Sequence, residues 1–173
     1  MANNLQRALR NANRSAINKV LAKAKIATSK AVRGVYNIKA GELNKVIKIR
    51  RASNQRFQGV ISVRTSKTSL IKFAARPRKV NKKIGVTVKV KKSGSRKLVI
   101  GGFIGTAIIS ESKQIFVRTG INRLPIEKKY TISVSQMIEK EGEKALYSII
   151  QKDLPRIQKN ELNEYIRREV RRR

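Results

Sequence analysis

A run of alternating residues near the middle of the chain constrains the fold more than any other feature. Between residues 84 and 91, Ile or Val occupies every second position, and Gly, Thr or Lys occupies the positions between them. A period of two is typical of a β-strand with one buried face. Ser93-Gly94-Ser95 predicts a turn, after which an apolar run returns. We therefore expect Ile84–Val90 and Leu98–Ile104 to pair as antiparallel strands. Four side chains of the first strand should face the core: Ile84, Val86, Val88 and Val90.

Shorter segments extend the predicted sheet. Residues 57–65 and 114–118 are rich in β-branched and aromatic side chains, which favours strands. Residues 66–69 predict a polar turn, and residues 70–76 a short strand or extended segment, since Pro77 disfavours a helix through Arg76. Residues 40–51 fit either a short helix or the start of a strand, and we favour the helix.

Two long helices are predicted outside the sheet. Small apolar residues recur at spacings of three and four from Asn3 to about Arg33, and the same period returns from about Val134. Ser135 is the predicted N-cap of the later helix, and Pro155 should end or kink it. The predicted fold class is α+β, with a long N-terminal helix, a central antiparallel β-sheet and a C-terminal helix kinked near Pro155. We expect one domain over residues 1–173, with a basic helical part (1–52), a sheet core (57–120) and a C-terminal helical part (132–173).

The charge of the chain predicts an anionic partner. The 42 Lys and Arg residues outnumber 10 Asp and Glu residues, which gives a formal net charge of +32 in 173 residues. A compact molecule with this charge repels itself, so we expect it to lie beside nucleic acid or an acidic protein surface. The aromatic residues are scattered, so contact with phosphates is predicted without base recognition. The candidate nucleic-acid-binding residues are Arg76, Arg78, Lys79, Lys82, Lys83, Lys91, Lys92, Arg96, Lys97, Arg167, Arg168, Arg171, Arg172 and Arg173.

Several classes of chemistry are excluded by composition. The chain has no Cys and no His, which excludes disulfides, zinc sites built on thiolate or imidazole, and Ser–His or Cys–His nucleophiles. The acidic cluster Glu139, Glu141 and Glu143 is interpreted as compensating a helix dipole. The glycine-rich segment 101–105 lacks the Gly-Lys-Ser/Thr ending of a phosphate loop. We therefore predict no enzyme activity, no cofactor and no metal.

The pattern of apolar residues predicts neither a membrane span nor a secretory signal. A run of about twenty apolar residues is absent, so no membrane span is expected. The N-terminal segment lacks the apolar stretch of a secretory signal, whereas its basic composition leaves a mitochondrial-type presequence open.

The order of several short motifs supports a family resemblance over most of the chain. These motifs are residues 16–22, the basic region 45–52, Gly102-Phe103-Ile104, Arg118-Thr119-Gly120, residues 123–130, residues 133–137, and Asp153-Leu154-Pro155 followed by a basic helix. In this order they resemble the minor tail protein Z family of tailed bacteriophages, also called tail completion proteins. The chain departs from the family pattern between Ser62 and Arg76.

The resemblance implies a structural protein of the virion that is made in the host cytoplasm. It would lie at the head-proximal end of the tail as a homo-oligomeric ring, expected to be a hexamer. The implied neighbours are tail terminator, tail tube or connector proteins and double-stranded DNA passing through the ring. The candidate partner-binding residues are Arg7, Arg10, Arg14, Arg123, Leu124, Pro125 and Ile126. The alternative is a sequence-independent nucleic-acid-binding protein of ribosomal or nucleoid type, and ring formation distinguishes the two.

Overall fold

The computed structural model describes residues 2–77, 85–107 and 112–171, apart from the side chains of residues 2–5 and 169. Four α-helices are found there: α1 (Ala2–Val35), α2 (Ala40–Val46), α3 (Val134–Met137) and α4 (Glu143–Arg171). A 3₁₀ turn covers Leu70–Lys72, and a π-helical turn covers Ile138–Gly142. The strands are β1 (Ile47–Arg50), β2 (Val60–Val63), β3 (Thr68–Ser69), β4 (Val86–Val88), β5 (Lys97–Val99), β6 (Gly102–Thr106), β7 (Lys113–Arg118), β8 (Ile126–Lys128) and β9 (Tyr130–Thr131). This is the α+β class that the sequence predicts, and no helix in the described ranges is both long and apolar enough to cross a membrane.

The described chain divides into two compact units. Unit 1 contains residues 2–31, 47–63 and 139–171, and unit 2 contains the remaining described residues, from 32–46 and 64–138. Unit 1 is therefore assembled from three separate stretches of sequence. Folding of the whole chain as a single domain stays a prediction.

Unit 1 is built on two antiparallel helices. Ala16 and Val20 of α1 are buried against Ile157 of α4. Lys19 pairs with Glu161, and Lys23, further along α1, pairs with Asp153, which comes earlier in α4. The two helices are therefore antiparallel. Small buried side chains along α1 allow the close approach: Ala8, Ala12, Ala16 and Ala24.

A short hairpin completes unit 1. β1 and β2 pair antiparallel, with Ile47 opposite Val63 and Arg50 opposite Val60. Just before β2, Gly59 lies so close to α1 that a Cβ atom there would stand 2.3 Å from Leu21 Cδ1. A side chain at this position would force Leu21 and Ile17 of α1 to move, because that separation is well inside van der Waals contact.

Unit 2 contains the central sheets. Its core is formed by Val86 and Val88 of β4 together with Ile104 and Ile115. β4 pairs antiparallel with β5, strands β6, β7 and β8 form a three-stranded antiparallel sheet, and β3 pairs with β9. The predicted hairpin is thus present, and Val86 and Val88 face the core as expected.

The structure corrects the predicted extent of the hairpin. Leu98–Ile104 is not one strand, because the chain turns at Gly101, whose φ of 65° lies in the left-handed region that glycine adopts freely. β5 therefore ends at Val99, and β6 begins at Gly102 and pairs with β7 instead of β4. Val90 is only half-buried, and Ile84 lies outside the described residues.

Other local predictions were wrong or incomplete. Thr68–Ser69 forms a strand instead of a turn, because β9 supplies it with a partner from far along the chain. Residues 40–51 contain both alternatives, a helix up to Val46 and a strand from Ile47. Residues 70–72 form a 3₁₀ turn, and the predicted strand at 57–65 is confined to Val60–Val63.

The later helix begins at a different N-cap from the predicted one. Its N-cap is Ser133, not Ser135: the Ser133 hydroxyl accepts from the Gln136 backbone N–H, and the Gln136 side chain accepts from the Ser133 backbone N–H. α4 runs through Pro155 to Arg171 and does not end there. Leu154 and Ile157 pack against α1 on either side of this proline, which offsets the missing backbone hydrogen bond.

Candidate functional site

Three arginines of α1 line one cleft in unit 1. Arg7, Arg10 and Arg14 are spaced by three and four residues, so they share a helix face. They bound a cleft of about 550 Å³, and we call its lining the arginine cleft. The lining residues are Gln6, Arg7, Arg10, Asn11, Arg14, Asn54 and Phe57.

The β1–β2 connection forms the opposite wall of the arginine cleft. The Arg14 guanidinium donates to Asn54 Oδ1, which holds the connection against the helix. Asn18 strengthens this attachment, since its side-chain amide accepts from the Ala52 backbone N–H at 2.8 Å and donates to the Ala52 carbonyl at 3.1 Å. Phe57 remains 42% exposed, so the cleft offers guanidinium groups beside an apolar ring.

A second cleft of about 720 Å³ shares Arg14 and Asn54 with the first. It is also lined by Lys19, Arg51 and Tyr165. The Arg168 guanidinium lies 5.7 Å from the centre of the Tyr165 ring, a cation–π distance. The second cleft therefore joins cations of α1 and of the β1–β2 connection to Tyr165 of α4, and Arg168 lies against the ring of that tyrosine.

The structure brings two predicted sets of arginines to one end of unit 1. Because α4 runs antiparallel to α1, its last turns lie toward the start of α1. Arg167, Arg168 and Arg171 are thus at the same end as the arginine cleft, although the sequence separates them by about 150 residues. Arg172 and Arg173 lie outside the described residues. We call the end of unit 1 that holds the arginine cleft and Arg167, Arg168 and Arg171 the basic end of unit 1.

The carboxylates between α1 and α4 are tied to cations. Burial disfavours ionisation of Glu161, but hydrogen bonds from Lys19 and Ser15 and the charges of Lys19 and Arg168 outweigh it and lower the pKa of this carboxyl. A hydrogen bond from Lys23 is the main cause of the lowered pKa of Asp153, which also pairs with Arg156 at 3.0 Å. These acids stay ionised and neutralise only the cations next to them. Ten acids cannot neutralise 42 cations, so the basic end keeps an excess of positive charge.

The acidic cluster is not placed where a helix dipole would need it. The continuous helical run begins at Val134, where the capping box satisfies its first backbone amides. Glu139 and Glu141 lie in the π-helical turn and Glu143 begins α4, more than one turn from that start. Since dipole effects fall off within the first turn, the interpretation as dipole compensation was wrong. Glu139 and Glu143 are exposed, and neither forms an ion pair with the described part of the chain.

The candidate cations of unit 2 have different roles. Arg96 donates to the Ala74 carbonyl at 2.8 Å and contacts Thr87, so it braces the hairpin. Arg76 exchanges two backbone hydrogen bonds of 2.8 Å with Thr87. Three candidate lysines are exposed near the end of the hairpin: Lys91, Lys92 and Lys97. Arg78, Lys79, Lys82 and Lys83 lie outside the described residues.

The candidate partner-binding motif of unit 2 forms an exposed loop between β7 and β8. The Thr119 backbone N–H and hydroxyl both donate to the Pro125 carbonyl, at 3.3 and 3.2 Å, and so close the loop at its base. Leu124 is 66% exposed, and Arg123 and Ile126 are also exposed. A closed loop that presents apolar side chains is suited to contact with another protein.

Sequence reasoning missed several residues of the clefts. Arg51, Asn54, Phe57 and Tyr165 reach the arginines of α1 only through the tertiary fold. The sequence carries no local pattern that links them. The β1–β2 connection and α4 each lie more than 35 residues from the arginines of α1 in sequence. The spacing of Arg7, Arg10 and Arg14 was the one available signal. In the described ranges, no group of three or more Asp, Glu, His or Cys residues could hold a metal ion.

Comparison with known protein families gives a match over nearly the whole chain. A family model described as prophage minor tail protein Z matches residues 2–172. No curated protein and no solved structure matches the chain.

Proposed function

The chain belongs to the prophage minor tail protein Z family, and on this basis we propose that it is a non-enzymatic component of the head-proximal end of a phage tail. Membership of the family makes it a minor tail protein with a place in the virion tail. The proposal adds that copies form a ring around DNA at the head–tail junction. In this ring, positive charge faces the DNA and acidic neighbouring proteins.

The observation that carries the proposal is the concentration of cations at the basic end of unit 1. Two clefts there are bounded by cations of α1 and of the β1–β2 connection, and the last turns of α4 add further arginines at the same end. The neighbouring carboxylates, Glu161 and Asp153, are already paired. A ring multiplies this charge around its axis. Such an arrangement attracts a polyanion through its phosphates without reading its sequence.

We assign different partners to the two sets of candidate residues. The DNA-facing set comprises the arginines at the end of α4 and the exposed lysines of the unit 2 hairpin. Arg7, Arg10 and Arg14, together with the loop around Arg123, Leu124, Pro125 and Ile126, contact protein. The protein neighbours are other copies of the chain and a tail terminator, tail tube or connector protein.

Two triple variants that remove the same charge from different parts of the helical run test the DNA-facing set. Arg167→Gln, Arg168→Gln and Arg171→Gln together should leave circular dichroism unchanged, since these side chains are exposed or partly exposed. DNA binding across a salt series should lose roughly 0.9 of slope for each phosphate contact removed. The control is Lys140→Gln, Lys144→Gln and Lys152→Gln, which removes the same charge from other turns of the same helical run. Equal slopes for the two triple variants would contradict the assignment.

The position in the particle tests the function as a whole. Cryo-electron microscopy of intact phage should show a ring of this protein between the head and the tail tube. Density for it only at the distal tip of the tail would contradict the proposal. A monomer that binds duplex DNA tightly but never enters a ring would favour the alternative of a general nucleic-acid-binding protein.

A further inference from the structure

One face of α4 combines unpaired carboxylates with exposed apolar side chains. Glu143, Tyr147 and Ile150 are spaced by four and three residues and therefore share a face, and Glu139 lies one turn earlier. Tyr147 is 55% exposed and Ile150 is 37% exposed. We call these four residues the acidic stripe. Lys144 follows Glu143 directly and points about 100° away from it, whereas Lys140 stands three residues before Glu143 and borders the stripe.

The unpaired state of these glutamates is unusual in this chain. Elsewhere in the described residues, Glu42, Asp153, Glu161, Glu127 and Glu164 each pair with at least one cation. The half-buried Glu141 of the same π-helical turn is the one further described acid without an ion pair. Glu139 and Glu143 stand four residues apart, where like charges repel each other along a helix. The capped helix start is too distant to stabilise them. Folding of the monomer therefore gives no physical reason for this pair.

The arginine cleft has the complementary chemistry. It presents Arg7, Arg10 and Arg14 beside the exposed ring of Phe57. Carboxylates prefer guanidinium groups because two parallel hydrogen bonds form between them. The apolar part of the acidic stripe matches the apolar wall of the cleft, and aromatic and Arg side chains are the ones that contribute most at protein interfaces.

The two surfaces lie at opposite ends of the same helix pair. Lys23 and Asp153 mark a point where α1 and α4 meet. Arg10 lies thirteen residues before Lys23 in α1, and Glu143 lies ten residues before Asp153 in the antiparallel α4. At 1.5 Å per residue, the two surfaces are separated by roughly 35 Å along the helices. The stripe of one copy is thus unable to reach its own cleft.

We propose that the acidic stripe of one copy docks into the arginine cleft of the next copy. This inference rests on the proposed ring and identifies its contact. The contact joins two different surfaces, so it is head-to-tail, and repeated contacts of this type close into a ring or extend as a filament. It also supplies the attraction that copies with a net charge of +32 need in order to stand side by side.

Charge reversal tests the contact in the full-length protein. Sedimentation velocity would measure self-association of three variants: Arg7→Glu with Arg10→Glu, Glu139→Lys with Glu143→Lys, and all four changes together. Each double variant should associate more weakly by about tenfold or more, because like charges then face each other at the contact. The quadruple variant, which has the same net charge as the wild type, should recover association. Mixing the two double variants should also recover it, since each supplies the surface that the other lacks.

The control is Lys152→Glu with Lys159→Glu. It changes the charge as much as the arginine variant does, but its residues lie on the face of α4 opposite the acidic stripe. This control should associate like the wild type, and all variants should retain wild-type circular dichroism. Wild-type association should weaken as salt rises from about 0.1 to 1 M, where the screening length falls from about 10 to 3 Å.

Two failures are distinguishable. If the wild type associates and the double variants associate equally well, the docking proposal is overturned while the ring survives with another contact. The same conclusion follows if arginine reversal prevents incorporation into tails without changing self-association, because the cleft then binds a different acidic tail protein. If the wild type stays monomeric at every concentration and is absent from rings in particles, the proposed function itself fails.

Discussion

At the scale of single residues, Val88 carries the strongest prediction about stability. It is 5% exposed and packs with Val86, Ile104 and Ile115 in the core of unit 2. Val88→Asp would bury a carboxylate without a partner, so we expect a loss of about 3 kcal/mol or more in the free energy of unfolding. Urea denaturation followed by circular dichroism measures this loss.

The matched control for Val88 is Leu98→Asp on the paired strand. Leu98 is 58% exposed, so the same carboxylate there stays in water. We expect a change within about 0.5 kcal/mol, as is usual for surface positions. Equal denaturation midpoints for the two variants would show that the alternating residues do not mark a buried face.

At the scale of elements, Glu42 joins α2 to the 3₁₀ turn. Its carboxylate pairs with Lys72 of the turn and with Lys45 of the helix, and hydrogen bonds from these lysines, chiefly Lys72, lower the pKa of Glu42. A lowered pKa means that the stabilisation is complete above the ordinary value of 4.5 and is lost as the pH falls through the lower folded value.

We therefore expect the difference in unfolding free energy between wild type and Glu42→Gln to depend on pH. It should be about 1 kcal/mol at pH 7 and shrink below pH 4.5 as the carboxyl becomes protonated in the wild type. Glu143→Gln is the control, because Glu143 is exposed and forms no ion pair with described residues. If the difference in unfolding free energy between wild type and Glu42→Gln stays constant down to acid unfolding, the ionised carboxylate of Glu42 does not stabilise the contact between α2 and the 3₁₀ turn.

The elements also show how far the sequence can be interpreted. Both long helices and the β4–β5 hairpin follow from local periodicity, which is a property of neighbouring residues. β3 was missed because its partner β9 lies about 60 residues away, and a strand of two residues has no period of its own. Ser133 was missed as the N-cap because Ser135 has the same chemistry, and only the Gln136 side chain distinguishes the two positions.

At the candidate site, spacing identified the arginines but not their surroundings. Arg7, Arg10 and Arg14 repeat along one helix, so the sequence shows that they share a face. Asn54 and Phe57 complete the cleft from a separate segment, and this proximity depends on the packing of unit 1. Charge alone also grouped Arg96 with the DNA-binding candidates, whereas its hydrogen bonds give it a place within the hairpin.

At the scale of the whole molecule, the prediction of a single domain requires that the two units unfold together. The chain passes between them four times, and one of these points lies inside α1, between residues 31 and 32. Unfolding either unit alone would interrupt that helix. We therefore expect one cooperative transition that includes both units.

Hydrogen exchange with mass spectrometry measures this cooperativity. Val88→Ala weakens the core of unit 2 without adding charge, and it should reduce the protection of peptides from α4 in unit 1 as much as that of peptides from β4. Leu98→Ala, at an exposed position, is the control and should change neither. Loss of protection confined to unit 2 would show that the chain folds as two domains.

The three-segment construction of unit 1 has a consequence in time. Lys19 and Glu161 are 142 residues apart in sequence, so their contact forms only after almost all of the described chain has left the ribosome. At ordinary rates of synthesis, α4 emerges on the order of ten seconds after α1. During this interval the second cleft lacks Tyr165, and the acidic stripe does not yet exist. A chain interrupted before α4 would carry the basic first helix but not the surface proposed to join the next copy. Under the docking proposal, synthesis of α4 is thus the step that makes a chain competent to enter a ring.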